Sequence, residues 1–122
     1  MVKMQENTTI LLEVSAIAPG ETTSLSGYIS LKDALKSHWT GECEFPSNAS
    51  ANCRVLLYSS HDHTNWDTEP IAQWDIEVHG GQTVRSSVAL IPDFYYVAAK
   101  MQNLDENVTI NNCKVRVTTV SP

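Results

Sequence analysis

Arg54–Val78, RVLLYSSHDHTNWDTEPIAQWDIEV, decides the fold. Val55, Leu56, Leu57 and Tyr58 are β-formers. Ile71 to Val78 alternates apolar with polar residues, and the ten residues from Ser59 to Thr68 between these two runs are rich in Ser, His, Asp, Thr and Asn. Two strands joined by a long decorated connection make a hairpin. The connection carries Trp66, two histidines and three acids, Asp62, Asp67 and Glu69.

Working outward, strand patterns recur along most of the chain. Thr8–Ile17 is apolar and β-rich, Pro19 and Gly20 make a turn, and Ser24–Leu31 alternates around Tyr28 and Ile29. Ser30 is placed either to cap a short helix through Leu31, Ala34 and Leu35 or to open an irregular crossover. Trp39–Phe45 and Asn52–Tyr58 read as the next pair of strands. Ile71–Val78 follows, then a turn in which Gly80 and Gly81 are expected to supply positive φ, then Thr83–Leu90. Tyr95–Gln102 and Val108–Val120 close the series. In the last strand Cys113, Val115 and Val117 point one way and Lys114, Arg116 and Thr118 the other, as in a sheet with one face in the core and one in water. Roughly eight short strands at such spacing predict an all-β sandwich, with jelly-roll-like connections possible, and with Trp74, Val97, Ala99, Val115 and Val117 in its core. At 122 residues one domain is expected, spanning 8–122 behind an amino-terminal arm, 1–7.

Composition narrows the function classes. Fourteen acids against eight bases give a net charge of -6, and the span from Arg54 to Arg85 holds Asp62, Asp67, Glu69, Asp75 and Glu77 without one internal Lys or Arg. Phosphate binding needs clustered bases, so nucleic acid is not an expected partner. No apolar run approaches the roughly 18 residues that span a bilayer, and the amino terminus lacks the apolar stretch of a signal peptide; no membrane partner and synthesis in the cytoplasm are the expectations. Cys43, Cys53 and Cys113 then read as reduced thiols, with a Cys43–Cys53 bridge as the alternative, since a Pro, Ser and Asn turn separates them.

Catalytic signatures are absent: no G-x-S-x-G, no H-E-x-x-H, no phosphate-cradling glycine loop before a helix and no redox-spaced cysteine pair. An enzyme is not expected, nor a cofactor. His61, His63 and Asp62 are weak metal candidates, because alternate residues of an extended backbone share a face. Asn65, Asp67 and Glu69 add oxygen donors, but the loop follows no calcium code. Trp39, Trp66 and Trp74 with Tyr58, Tyr95 and Tyr96 offer rings for stacking on sugars, with Trp66 the best exposed, so a carbohydrate-binding module is the alternative function.

The run Tyr58–Ile76, YSSHDHTNWDTEPIAQWDI, followed by a Gly-rich turn, Val84–Asp105 and the NNCKVRVTT strand at Asn111–Thr119, resembles a class of small tailed-phage virion proteins that share a YSS-DG-NWDTEP hairpin and a closing P-YYV pair of strands. The resemblance covers about the last 70 residues, and His63 stands here where that hairpin has glycine. It implies a virion β-sandwich that decorates or cements a bacteriophage capsid, bound to the major capsid protein as a homotrimer. Val2 and Met4 in the arm and Tyr58, Trp66, Asp67 and Glu69 in the hairpin are the expected assembly residues.

Overall fold

A computed structural model describes residues 3–122, and it contains eight strands and no helix. They are β1 (Gln5–Ile17), β2 (Tyr28–Ser30), β3 (Lys36–Glu44), β4 (Cys53–Ser60), β5 (Ala72–Ile76), β6 (Thr83–Leu90), β7 (Tyr96–Asn103) and β8 (Ile110–Ser121). Two four-stranded sheets run in the orders β1-β8-β3-β6 and β2-β7-β4-β5, with every pairing antiparallel. From β3 onward, consecutive strands other than β4 and β5 lie in opposite sheets, which is the jelly-roll connectivity.

The expected hairpin forms: β4 pairs with β5 from Cys53↔Ile76 to Leu57↔Ala72. Other expected neighbours separate. β3 and β4 were read as a pair, yet β3 lies between β8 and β6 while β4 lies between β7 and β5. Alternation reports which residues face the core, and both sheets satisfy it equally. Between β2 and β3 the chain makes turns rather than a short helix: the Ala34 N–H donates to the Leu31 carbonyl at 3.1 Å and the Leu35 N–H to the Val120 carbonyl at 2.7 Å. Two turns of helix without a partner face cannot outcompete such tertiary bonds. β1 begins at Gln5, so Gln5, Glu6 and Asn7 of the expected arm pair with Ser121, Val120 and Thr119. Val2 lies outside the described residues.

The core lies between the sheets. Val97, Ala99, Val115 and Val117 are fully buried, as alternation predicts, together with Leu57, Ile76 and Met101. Trp74 is half-buried instead, its indole N–H donating to the Ser86 carbonyl across to the other sheet at 3.1 Å, and Trp39 takes the central place. The Trp39 indole is wholly enclosed and donates to Ser37 Oγ, which donates in turn to the Leu90 carbonyl, so the ring's one polar atom is satisfied. Cys43, Cys53 and Cys113 are free and buried. The Cys53 thiol is pushed well above its usual range by its hydrogen bond with Cys43 and then by burial, and burial pushes Cys113 up to about 12, so these thiols serve as small apolar groups.

At one end of the sandwich the β1–β2, β3–β4, β5–β6 and β7–β8 loops are tied together by polar side chains. Asn103, fully buried, donates through Nδ2 to the carbonyls of Val108 (2.9 Å), Ile17 (3.1 Å) and Ala18 (3.3 Å), while its Oδ1 accepts from the Asp105 N–H. Asp105 accepts the N–H groups of Ser50, Asn107 and Val108, and the first two hold its carboxyl below the usual range. Gly80 fits because a Cβ there would stand 2.7 Å from the Ser47 carbonyl oxygen; only Gly81, with φ 77°, has the positive φ expected of both.

Candidate functional site

The opposite end carries the exposed apolar groups. Of the six large hydrophobic residues most exposed among those described, Met4, Tyr28, Leu35, Ile91 and Tyr95 belong to it, and Ile10, within β1, does not. It is built from the β2–β3 loop, the long β4–β5 connection, the β6–β7 loop, the start of β1 and the end of β8.

The β4–β5 connection is organised by Asp62. Its Oδ1 accepts the N–H groups of Asn65 (2.8 Å) and Thr64 (3.0 Å), and its Oδ2 accepts Asn65 Nδ2 (2.8 Å). These donors, Asn65 foremost, hold the Asp62 carboxyl far below the usual carboxylate range. His63 follows in the left-handed region with φ 51°, the conformation that glycine adopts most readily, so the turn keeps its shape with a side chain at the position. Asp67 closes the loop: its N–H donates to the Ser59 carbonyl (3.0 Å) and its Oδ2 accepts Ser59 Oγ (2.7 Å).

The imidazole that His63 projects is stacked on Tyr28, centroids 4.7 Å apart and planes 12° from parallel, and meets Tyr96 edge-on at 4.9 Å. Tyr28 also meets Tyr96 edge-on at 5.3 Å and lies 6.4 Å from the Trp66 ring. On the other side His61 packs edge-on against Tyr95 at 5.5 Å. Lys32 Nζ lies 5.0 Å from the Tyr96 ring centre and 5.4 Å from that of Tyr95, and the Tyr96 hydroxyl is the main reason its ammonium is held above the usual range. Each aromatic pair contributes about 0.5–1.5 kcal/mol, enough to order a polar loop.

The residues read from the sequence distribute as follows. Trp66, half-buried and bridged to Ser60, joins the cluster, as do His61, His63 and Asp67. Tyr58 lies beside it on β4 under Lys100 Nζ, 5.1 Å away, and Glu69 is exposed further along the loop. Met4 is exposed one residue before β1. Trp39 and Trp74 do not belong to the ring surface, because one fills the core and the other bonds across the sheets. Among the described residues no three of His, Cys, Asp and Glu gather as the ligands of an ion would. His61 and His63 are drawn to different tyrosines while Asp62 is saturated by its own loop. Tyr28, Lys32, Asp93 and Phe94 join the site from distant segments, and no local pattern marked them. Among the described residues no hydroxyl or thiol is hydrogen-bonded to a histidine, so the pairing that activates a nucleophile is not formed here.

Two of the recesses at this end border the exposed apolar and aromatic groups. A groove of about 600 Å3 is lined by Leu35, Leu90, Ile91, Pro92 and Val120 with Glu6 and His38. A cleft of about 360 Å3 between the β4–β5 and β6–β7 loops is lined by Ser59, Ser60, His61, Asp67, Asp93, Phe94 and Tyr95.

No protein-family model matches this sequence, and no curated protein matches it. Solved structures share its fold. The SPBc2 prophage-derived protein YomS superposes with a TM-score of 0.52 at 8% identity over 99% of this chain and 97% of that one. A chain of the infectious bursal disease virus Gx strain structure gives 0.61 at 10% identity, over 98% of this chain but about a third, 32%, of that one. Murine APRIL gives 0.52 at 7% identity over 97% and 100%. Identities this low establish a common jelly roll and leave function to the site.

Proposed function

We propose that this chain is a non-enzymatic structural protein of a virus particle: a jelly-roll module that decorates or cements a bacteriophage head, made in the host cytoplasm and seated on the major capsid protein as a homotrimer. The observation that carries this reading is the one-ended distribution of exposed apolar residues. Leu35 and Ile91 line the groove and Met4 is exposed just before β1 at the same end, and the sandwich core uses none of the three. Support comes from the Tyr58–Ile76 hairpin resemblance, and from a prophage-derived protein of matching length and a virus structure among the chains that share the fold.

A decoration protein gains from repetition. Once one subunit docks, its linked copies bind at high effective concentration, so each contact can be small. The test is sedimentation and electron microscopy of the purified protein mixed with undecorated phage heads. Saturable decoration, reduced at least about tenfold by Ile91→Asp as expected for a charge placed in an apolar contact, supports the proposal. Heads that stay bare at micromolar protein overturn it.

A further inference from the structure

We infer that the cleft between the β4–β5 and β6–β7 loops is a binding site for a neutral saccharide. It uses a different surface from the particle-docking groove and does not rest on that reading. The β6–β7 loop serves both: Ile91 and Pro92 line the groove, and Asp93 to Tyr95 line the cleft.

The chemistry of the lining selects the ligand. One wall is aromatic, with Tyr95 half-exposed and held edge-on by His61. The same cleft is lined by the carboxylates of Asp67 and Asp93, which the protein does not neutralise. Asp67 uses one oxygen to accept Ser59 Oγ, which fixes its orientation, and among the described residues neither Asp67 nor Asp93 forms an ion pair. A flat ring beside oriented acceptors matches a pyranose, whose C–H face is apolar and whose rim is a set of hydroxyl donors.

Other ligand classes fit worse. An aliphatic chain would strip water from two carboxylates without giving them partners. A phosphate or an acidic sugar would meet two negative charges in a lining that holds no Lys or Arg, and the Lys32 ammonium behind it is engaged over the rings of Tyr95 and Tyr96. An extended peptide finds no free strand edge in β4, which is paired on both sides by β5 and β7. The volume, about 360 Å3, lies at the lower end of small-ligand sites, roughly 300–1,000 Å3, and suits one or two sugar rings. Beyond the cleft, Trp66, Tyr28 and His63 continue the ring surface over which further residues of an oligosaccharide would lie.

The full chain would be screened on an array of neutral and acidic oligosaccharides, and the best neutral binder titrated by calorimetry. Saturable binding is expected, weakened about tenfold or more by Tyr95→Ala and by Asp67→Asn, retained by Tyr95→Phe and unchanged by Ile91→Asp. Melting temperatures of the variants identify any loss that comes from unfolding. No saturable binding, binding confined to acidic sugars, or binding that survives both Tyr95→Ala and Asp67→Asn would overturn the inference. Head decoration measured on the same variants separates this site from the groove, since Tyr95→Ala should still decorate and Ile91→Asp should not.

Discussion

The two ends of the sandwich use polar and aromatic residues in opposite ways. Where the β7–β8 loop meets its neighbours, Asn103 and Asp105 are buried and saturated, and nearly every hydrogen bond they make crosses to backbone. At the other end one long connection, β4–β5, meets its neighbours through exposed rings, His63 on Tyr28 and His61 on Tyr95. A buried, fully satisfied network specifies one arrangement and offers nothing to a partner. Exposed rings beside free carboxylates leave surface to be covered. The comparison assigns stability to one end and recognition to the other.

Removing Asn103 is the strongest way to break that assignment. Asn103→Ala removes the Nδ2 donor from the Ile17 and Val108 carbonyls and the acceptor of the Asp105 N–H, while Ala18 keeps the Glu21 N–H, and a cost of about 2–4 kcal/mol is expected in denaturant unfolding. Tyr95→Ala, by contrast, should cost under about 1 kcal/mol. Equal costs would mean that the recognition end also carries the fold. Gly80→Ala probes the Asn103 end sterically. Its Cβ would meet the Ser47 carbonyl, and a loss of about 1–3 kcal/mol is expected by the same measurement.

Strong acid probes the other end through Asp62. The folded pKa of Asp62 lies below that of an unfolded aspartate, so its contribution to the loop is fully present above about pH 4 and is lost as pH falls through the folded value. Titration followed by amide shifts of Thr64 and Asn65 should show this connection loosening; an Asp62→Asn variant whose loop shifts are unchanged at pH 7 would count against the role given to the carboxylate. The smallest effect is expected from His63→Gly. Glycine removes a left-handed backbone cost of about 1 kcal/mol, and the variant gives up ring contacts of similar size, so stability should change by less than about 1 kcal/mol in either direction. A larger loss would show that the Tyr28–His63–Tyr96 stack anchors the whole loop.

Much of this was legible beforehand. The β4–β5 hairpin, the alternation that buries Val115 and Val117 while leaving Lys114 and Arg116 on the other face, and the membership of Trp66, His61, His63 and Asp67 in a decorated connection all follow from short-range pattern. Trp39 and Trp74 were exchanged in importance because both alternate within strands, and a period of two reports facing but not depth. Tyr28 was read only as a strand residue. Its ring joins the candidate surface because β2 pairs with β7 and so brings Tyr28 alongside Tyr96 and under the loop that carries His63.

By itself, then, the amino-acid order determined that the chain would form about eight strands with one buried face each, where most of them lie, and that one connection would be long, acidic and aromatic, because propensity, alternation and turn residues act over a few neighbours. Only the tertiary structure decided which strands share a sheet, which tryptophan fills the centre, and that Tyr28, Lys32, Asp93 and Tyr95 converge on that connection. Those outcomes depend on contacts between segments tens of residues apart, and they are selected by the summed burial of two sheets rather than by any local preference.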